Sequence, residues 1–299
     1  LVGLQYEKQK PNAIVKKAFY RSLYQSHPYA NHPSGSEESV QALSADDLRA
    51  FYRRYYVAKN ATVVIVGDLS EKRARSIAAR LADSLDKGRR AEPLPAVAGL
   101  DAGEEIVLEH PSKQSHVLLG APGMRRGDAD YFPLYVGNHI LGGSGLVSRI
   151  SEEIREKRGL VYSIYSFVSG MRDCGIFGIY AGSGPETADE VCERLAKECA
   201  GIAGSINEEE VARARTQLKA QIMMARESTG HRAEQAASHL LAFGRRKTVE
   251  EVVAKIEAVD TALVARMAEQ VFSAKPTFAA AGAVETLPPA DAIREWLTA

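Results

Sequence analysis

The sequence predicts an α+β fold that is made of two related units, of which the first is incomplete. Strands follow one another through direct turns and helices come in runs, which favours α+β over a repeated βαβ pattern. A helix followed by a strand also recurs, because the residue pairs 42/258, 43/259, 44/260 and 59/275 are identical or similar at one separation of 216 residues. The chain has 299 residues, which is too short for two complete units of that size.

The repeat predicts where the units lie. Residues 1–91 are expected to be the C-terminal half of a first unit, and residues 104–299 a complete second unit. Residues 92–103 (EPLPAVAGLDAG) are rich in Pro, Gly and Ala and are expected to be the linker between them.

In the first unit the pattern predicts a helix over 13–24 and then a loop over 27–35 that is rich in His, Pro and Gly. A helix over 45–56 follows, with Ser44 as its N-cap and Asp47 completing a capping box. A strand over 62–66 and a helix over 71–85 end this part.

The second unit begins with two strands, and two helices, two further strands and a run of helices follow before the last strand. Asn207 and Glu210 form a second capping box, and Asp260 occupies the N-cap position that Ser44 occupies in the first copy of the repeat. The expected strands are 105–109, 115–120, 161–168, 175–181 and 278–282, and the expected helices are 131–141, 147–158, 187–202 and one that begins at 207.

Composition excludes several classes of function. There are 38 basic and 38 acidic residues and no basic block, which argues against a nucleic acid or an anionic membrane as the main partner. No apolar run approaches the ~20 residues that a membrane span needs. The three cysteines lack Cys-x-x-Cys spacing, and we expect them to be small buried hydrophobic residues.

The turn formed by Gly142, Gly143, Ser144 and Gly145 is the most Gly-rich point of the second unit. It lacks the Gly-Lys-Ser/Thr ending of a phosphate loop and does not have the spacing of a dinucleotide fingerprint. We therefore predict no nucleotide site there.

A tight corner between a helix and a strand follows this turn. Helical spacing places Val147, Ile150 and Ile154 on one face, and Gly159 stands where a left-handed C-cap belongs. Strand alternation then directs Tyr162 and Ile164 to one face of the sheet.

Arg155 and Tyr162 lie on either side of this corner, and two interpretations of them stay open. In the first, Arg155 is a solvated helix residue and Tyr162 is an aromatic residue at the rim. In the second, the guanidinium and the phenol together hydrogen-bond a peptide backbone or a carboxylate.

Three segments resemble the pitrilysin/insulinase family of zinc metallopeptidases, and in particular bacterial members of the mitochondrial-processing-peptidase type. They are residues 24–35 (YQSHPYANHPSG), 51–68 (FYRRYYVAKNATVVIVGD) and 141–163 (LGGSGLVSRISEEIREKRGLVYS). The resemblance covers essentially the whole chain.

The resemblance implies repeated αβ domains, each with an antiparallel-rich sheet and helices packed on one face. It implies two halves around a chamber, in which an extended peptide substrate is bound by strand addition. It places the family's substrate-binding Arg and Tyr on Arg155 and Tyr162, which are seven residues apart. It also implies a homologous peptidase subunit as partner in a homo- or heterodimer, and points to bacteria and the periplasm.

The same resemblance implies zinc in an intact catalytic domain, held by His-x-x-Glu-His and a further Glu. His-x-x-Glu-His does not occur in this chain. Counting back from Pro11, the further Glu falls near Val2 or Gly3, and the nearest carboxylate, Glu7, is several positions away. We therefore predict no metal ligands and no cofactor in this chain.

Other catalytic sites are poorly supported by the residues. His27 and His32 flank a Pro-rich loop and His110 and His116 flank a turn, but no pair of histidines has helical i, i+4 spacing with a nearby acid. Gly-x-Ser-x-Gly is absent, and no motif surrounds Cys174.

Three hypotheses remain. In the first, the chain is a non-catalytic subunit that supplies chamber wall and peptide-binding groups. The absence of a carboxylate at Val2 and Gly3 favours this hypothesis. Alternatively it is the C-terminal part of an active zinc endopeptidase whose His-x-x-Glu-His half is missing. A purely structural subunit is the third.

Overall fold

A computed structural model describes residues 1–97, 103–273 and 276–298. Helices dominate these ranges, and short 3₁₀ and π-helical turns join several of them. The α-helices are α1 (Val2–Glu7), α2 (Pro11–Tyr24), α3 (Glu37–Ala42), α4 (Ala45–Tyr55), α5 (Glu71–Asp83), α6 (Tyr131–Asn138), α7 (Ala188–Ser205), α8 (Glu208–Ala225), α9 (Thr229–Phe243), α10 (Val249–Glu257), α11 (Thr261–Ser273) and α12 (Ala290–Thr298).

The strands form one five-stranded sheet in the order β1-β5-β2-β4-β3. β1 and β5 are parallel and the other neighbours are antiparallel, which confirms the predicted α+β class with an antiparallel-rich sheet. Each strand coincides with a predicted one. The strands are β1 (Glu105–Glu109), β2 (Ser115–Gly123), β3 (Val161–Gly170), β4 (Gly175–Ser183) and β5 (Thr277–Gly282).

Helices cover one face of the sheet and bury the main core. Side chains from α6, α7, α11 and α12 pack there against the apolar residues of β2, β3, β4 and β5. β4 is buried along its whole length, as expected of a central strand with both faces covered.

The opposite face of the sheet is covered by α2, which comes from the predicted first unit. Val15 and Phe19 of α2 are fully buried against Leu118 of β2 and Ala279 and Ala281 of β5. The small side chains of β5 let the helix approach closely. The two predicted units therefore share a core.

The predicted strand over 62–66 is absent, and this expectation is wrong. Residues 61–66 have no regular structure and are exposed or half-buried. A strand needs a hydrogen-bonded neighbour, and every strand in the described ranges pairs within 105–282. The high β-propensity of Thr62, Val63, Val64 and Ile65 is therefore not realised here.

The structure confirms both predicted helix N-caps of the repeat. Ser44 and Asp47 form the predicted capping box, with the Ser44 amide donating to Asp47 Oδ2 over 2.9 Å. Asp260 Oδ1 accepts from the Leu263 amide at 2.8 Å, which confirms the second N-cap. Lys275, which matches Lys59 in the repeat, and part of the predicted linker, residues 98–102, lie outside the described residues.

The helix α4 has no buried residue. Four large side chains at helical spacing are each more than half exposed, namely Leu48, Phe51, Tyr52 and Tyr56, and we call them the exposed α4 face. No helix in the described ranges is both long and apolar enough to cross a membrane.

Candidate functional site

The candidate site begins with a helix over residues 149–156, of which Ser151–Glu156 is π-helical. Ile150 and Ile154 are fully buried and fix this helix to the main core. Val147 does not share their face and is 58% exposed. That prediction fails because Gly145–Val147 forms a separate 3₁₀ turn before the helix begins.

The helix ends as predicted at Gly159, whose φ of +66° lies in the left-handed region. The Gly159 amide donates to the Arg155 carbonyl over 2.9 Å, and the Leu160 amide donates to the Ile154 carbonyl over 3.1 Å. These bonds satisfy the last carbonyls of the helix and turn the chain directly into β3.

Arg155 occupies the last turn of this helix with 42% of its side chain exposed. Its nearest carboxylate contact is a long one, 3.8 Å from Nε to Oε1 of Glu156. Neighbouring cations are engaged more closely, since Lys157 lies 3.2 Å from Glu153. The Arg155 guanidinium is therefore the cation at this corner that is best able to bind a ligand.

Tyr162 lies in a β-bulge and is 62% exposed. Val161 pairs with Ser183 of β4, and Ser163 pairs with Gly182, the neighbouring residue of β4. Tyr162 lies between them without a partner and is therefore the extra residue of β3. The bulge breaks the alternation of side chains. The prediction that Tyr162 and Ile164 share a face is therefore wrong, because Ile164 is buried in the main core.

β3 is an edge strand of the sheet, so no strand in the described ranges pairs with its outer side. An exposed edge presents unpaired amide and carbonyl groups to which an extended peptide can add as a further strand. Tyr162 lies at the start of this edge and Arg155 on the turn that leads into it. The structure thus brings the two predicted residues to one exposed corner, and their role in substrate binding stays a prediction.

Two of the three glycines of the Gly-rich turn allow close packing, and the third has a left-handed backbone conformation. A Cβ on Gly142 would lie 2.5 Å from the backbone nitrogen of Ser166, and one on Gly143 would lie 2.5 Å from Asn138 Nδ2. Gly145 has a φ of +69°. The approach at Gly142 places the turn against β3, the strand that begins at the corner of Arg155 and Tyr162, and the approach at Gly143 places it against the end of α6.

Replacing Gly142 with alanine is expected to destabilise the fold by about 1–3 kcal/mol. The new methyl group would collide with the backbone of Ser166, which is held in place by the pairing of β3 with β4. Urea unfolding measures the change.

The matched control is Gly201→Ala in α7, where a Cβ meets no atom within 4 Å. Alanine there should stabilise the helix by about 0.5–1 kcal/mol. Equal unfolding midpoints for the two variants would contradict the packing described for Gly142.

The described residues contain no group of three or more His, Cys, Asp or Glu side chains that could hold a metal ion. Val2, at the position predicted for a zinc-binding Glu, lies in α1 and is 86% exposed. Glu7 is paired with Lys17 at 2.6 Å, and the hydrogen bond from Lys17 lowers the pKa of Glu7. The residues present here do not fit a zinc site.

The histidines have local hydrogen-bonding partners. His27 Nδ1 accepts from the Tyr29 amide at 3.1 Å and its Nε2 lies 3.0 Å from the Pro95 carbonyl. His116 Nδ1 lies 2.6 Å from the Tyr180 hydroxyl, and burial lowers the pKa of His116. The His27 contacts hold its loop, whereas the His116 contact joins the paired strands β2 and β4.

All three cysteines are free and buried, as predicted. Burial raises the pKa of Cys174, and raises the pKa of Cys192 to about 12. A thiol that stays protonated is a poor nucleophile, so these cysteines do not support a site with a catalytic cysteine.

The sequence did not predict a cluster of cations that the structure contains. Five cations that are scattered between residues 126 and 247 meet at one cleft, which is described below. Only Arg246 and Lys247 are adjacent in the sequence, and the packing of α8 and α9 beside the segment before α10 brings Arg126, Arg226 and Arg232 to them.

Comparison with known proteins agrees with the resemblance seen in the sequence. The model of the family described as "Peptidase M16 inactive domain" matches residues 42–218. An uncharacterized zinc protease of Streptomyces coelicolor is 32% identical over 279 residues, which is 91% of this chain and 61% of that protein. The chain thus spans less than two thirds of that relative's length.

Solved structures give the same result for the fold. The crystal structure of a peptidase M16 inactive domain from Pseudomonas fluorescens superposes with a TM-score of 0.88 at 27% identity, covering 97% of this chain and 69% of that chain. A chain of complex III from Candida albicans has a TM-score of 0.86 at 21% identity, covering 99% of this chain and 72% of that chain. The second similarity concerns the fold alone.

Proposed function

The chain belongs to the peptidase M16 inactive-domain family, and from this premise we propose that it is the non-catalytic partner of a zinc peptidase subunit. In this proposal it contributes groups that bind the peptide substrate and part of the wall of the chamber in which the substrate is cleaved. A homologous subunit carries the zinc.

The observation that supports this proposal is the exposed corner formed by Arg155 and Tyr162 at the edge strand β3. A peptide added along β3 would gain backbone hydrogen bonds, which are independent of its sequence. The guanidinium offers several donors to a carbonyl or carboxylate, and the phenol offers one more. Such a site binds and orients a peptide without needing an acid, a base or a metal of its own.

Zinc is a cofactor of relatives that are named zinc proteases. The described part of this chain offers neither a cluster of metal-binding side chains nor a carboxylate at the position predicted for one. We therefore assign no catalytic step to this chain.

A second candidate function is that the chain is the C-terminal part of an active zinc endopeptidase. The observation that favours it is the coverage of the Streptomyces relative, 61% of whose length this chain spans. Both candidates assign the same task to Arg155 and Tyr162, and they differ in whether the catalytic residues belong to the same polypeptide.

The experiment that tests the proposal uses the purified, tag-free chain. We expect substoichiometric zinc by elemental analysis, no peptide cleavage by the chain alone, and a large increase in cleavage when it is added to a catalytic M16 subunit from the same organism. Stoichiometric zinc together with chelator-sensitive cleavage by the chain alone would reject it. Added bovine serum albumin controls for non-specific protection of the catalytic subunit.

A further inference from the structure

Three confluent cavities of about 190, 310 and 160 Å³ lie where α8, α9 and α10 meet. Arg226, Arg232 and Gln235 line both the first and the second cavity, and Arg126 and Gln235 line both the second and the third. Because Gln235 lines all three, the cavities adjoin one another and are described together as one cleft. We call it the cationic cleft after five of its lining residues, Arg126, Arg226, Arg232, Arg246 and Lys247.

These cations come from separate elements. Arg226 is the C-cap of α8, and Arg232 lies in the first turn of α9. Arg246 and Lys247 precede the N-cap of α10, and Arg126 follows β2. The first turn of α9 contains no acidic residue to balance Arg232 at the positive end of the helix.

A solvated basic surface is the simplest alternative explanation, and the clustering of five cations around these cavities argues against it. The net charge is zero, and many surface Arg and Lys residues pair with a carboxylate. Within the described residues none of the five cleft cations makes such a pair within 4.0 Å. Cations outside the cleft, such as Arg53, Arg54 and Arg90, also lack such a pair in the described ranges, so the cleft differs in that five unpaired cations line one cavity system together.

The two carboxylates that line the cleft do not cancel this charge. They are Glu234 and Glu250, against five cations. Glu250 is engaged at the start of α10, where hydrogen bonds from its own backbone amide and from Thr248 lower its pKa. The cleft keeps a positive excess that a bound anion would balance.

Two groups within the cleft experience this excess directly. Burial lowers the pKa of His239, and the charges of Arg126 and Lys247 lower it further. Burial and the neighbouring Arg245 lower the pKa of Lys247. Lys247 is half-buried with its ammonium 3.7 Å from the ring centre of Phe243, so the charge is held in place at the cleft.

The far end of the cleft is apolar. Tyr131, Phe132, Tyr135, Phe243 and Ile256 line the third cavity, next to Arg126 and Lys247. A single small anion would not use this apolar end. An extended ligand that carries several negative charges and an apolar group fits the whole cleft.

We propose that the cationic cleft binds an acidic stretch of a peptide, with carboxylates against Arg226, Arg232 and Arg246 and an apolar side chain at the aromatic end. This inference rests on the proposed function, because it takes the ligand to be a peptide. It adds that the bound peptide is acidic. Acidic segments would be held at this cleft, and substrates that contain them would be favoured.

The test measures fluorescence anisotropy of a labelled peptide that contains several Glu residues and one Phe, with Gln-substituted and Lys-substituted versions as references. We expect the Glu peptide to bind about tenfold or more tightly than the Gln peptide, with an affinity that falls as salt is added. The double variant Arg226→Glu with Arg232→Glu should lose about tenfold or more of this affinity. Both side chains are exposed, so their replacement should leave the fold intact.

The matched control is Lys72→Glu with Arg73→Glu, which makes the same change in net charge at two exposed positions of α5. It should change the affinity by about twofold or less, because screening weakens charges that are distant from the ligand. An equal loss in both double variants would overturn the proposal, as would equal binding of the Glu and Gln peptides or no binding of either.

Free anions are distinguished in the same assay with inorganic phosphate as a competitor. If phosphate saturates the cleft and the Glu peptide does not bind, the cleft is a site for a small anion and the proposal fails. The assay contains no partner subunit, so its outcome is independent of partner activation. Conversely, acidic-peptide binding that survives when activation fails would reject the proposed function and leave the cleft assignment in place.

Discussion

Replacing Arg155 with alanine is expected to lower kcat/KM for peptide cleavage by the assembled peptidase pair about 10- to 100-fold. The estimate follows from the ~1.5–3 kcal/mol that a hydrogen bond to a charged group contributes, at ~1.4 kcal/mol for each tenfold change. Arg155 has no close ion pair within the chain and is 42% exposed, so its loss should leave the unfolding midpoint unchanged. Steady-state cleavage and urea unfolding measure the two quantities.

The companion variant Tyr162→Phe removes only a hydroxyl from the same corner. A smaller loss of about 2- to 10-fold is expected, because a neutral hydrogen bond contributes ~0.5–1.5 kcal/mol. Lys157→Ala is the control, since Lys157 is an exposed cation on the same turn that is already paired with Glu152 and Glu153. If Lys157→Ala and Arg155→Ala reduce cleavage equally, the corner acts through its overall charge and the specific role of Arg155 is rejected.

Phe19→Ala is expected to lower the free energy of unfolding by about 3–5 kcal/mol, the largest effect on stability that we predict. Phe19 is fully buried between α2 and the sheet, and its ring reaches the space that a Cβ on Gly120 would occupy. The cavity left by alanine would separate α2 from the face of the sheet that it covers. Urea unfolding measures the change.

The matched control is Phe51→Ala, which removes the same side chain from a position that is 57% exposed. Its effect should stay within about 0.5 kcal/mol. A loss below about 1 kcal/mol for Phe19→Ala would mean that α2 does not pack on the sheet in solution, and would contradict the shared core of the two predicted units.

The parts of the fold that could be predicted from sequence depend on interactions between near neighbours in the chain. The Ser44 capping box and the left-handed Gly159 are of this kind, because the residues concerned decide their own backbone geometry. The five strands were also predicted, since their hydrophobic runs are long enough to be recognised without their partners.

The features that were missed are decided by residues distant in the sequence. The bulge at Tyr162 follows from the register between β3 and β4, and residues 62–66 stay without a strand because pairing needs a neighbour. The cationic cleft depends on the packing of three helices. For the candidate site, the sequence offered Arg155 and Tyr162 as candidates whose role stays a prediction, whereas their exposure and the bulge at Tyr162 required the structure.

The exposed α4 face has a thermodynamic consequence. Burying the exposed part of each of its four large side chains would contribute on the order of 1 kcal/mol, so together they approach the lower end of the ~5–15 kcal/mol by which domains are stable. Any segment that covered this face would raise the unfolding midpoint by mass action. In the presence of such a segment, the stability measured for this chain would depend on the concentration of that segment.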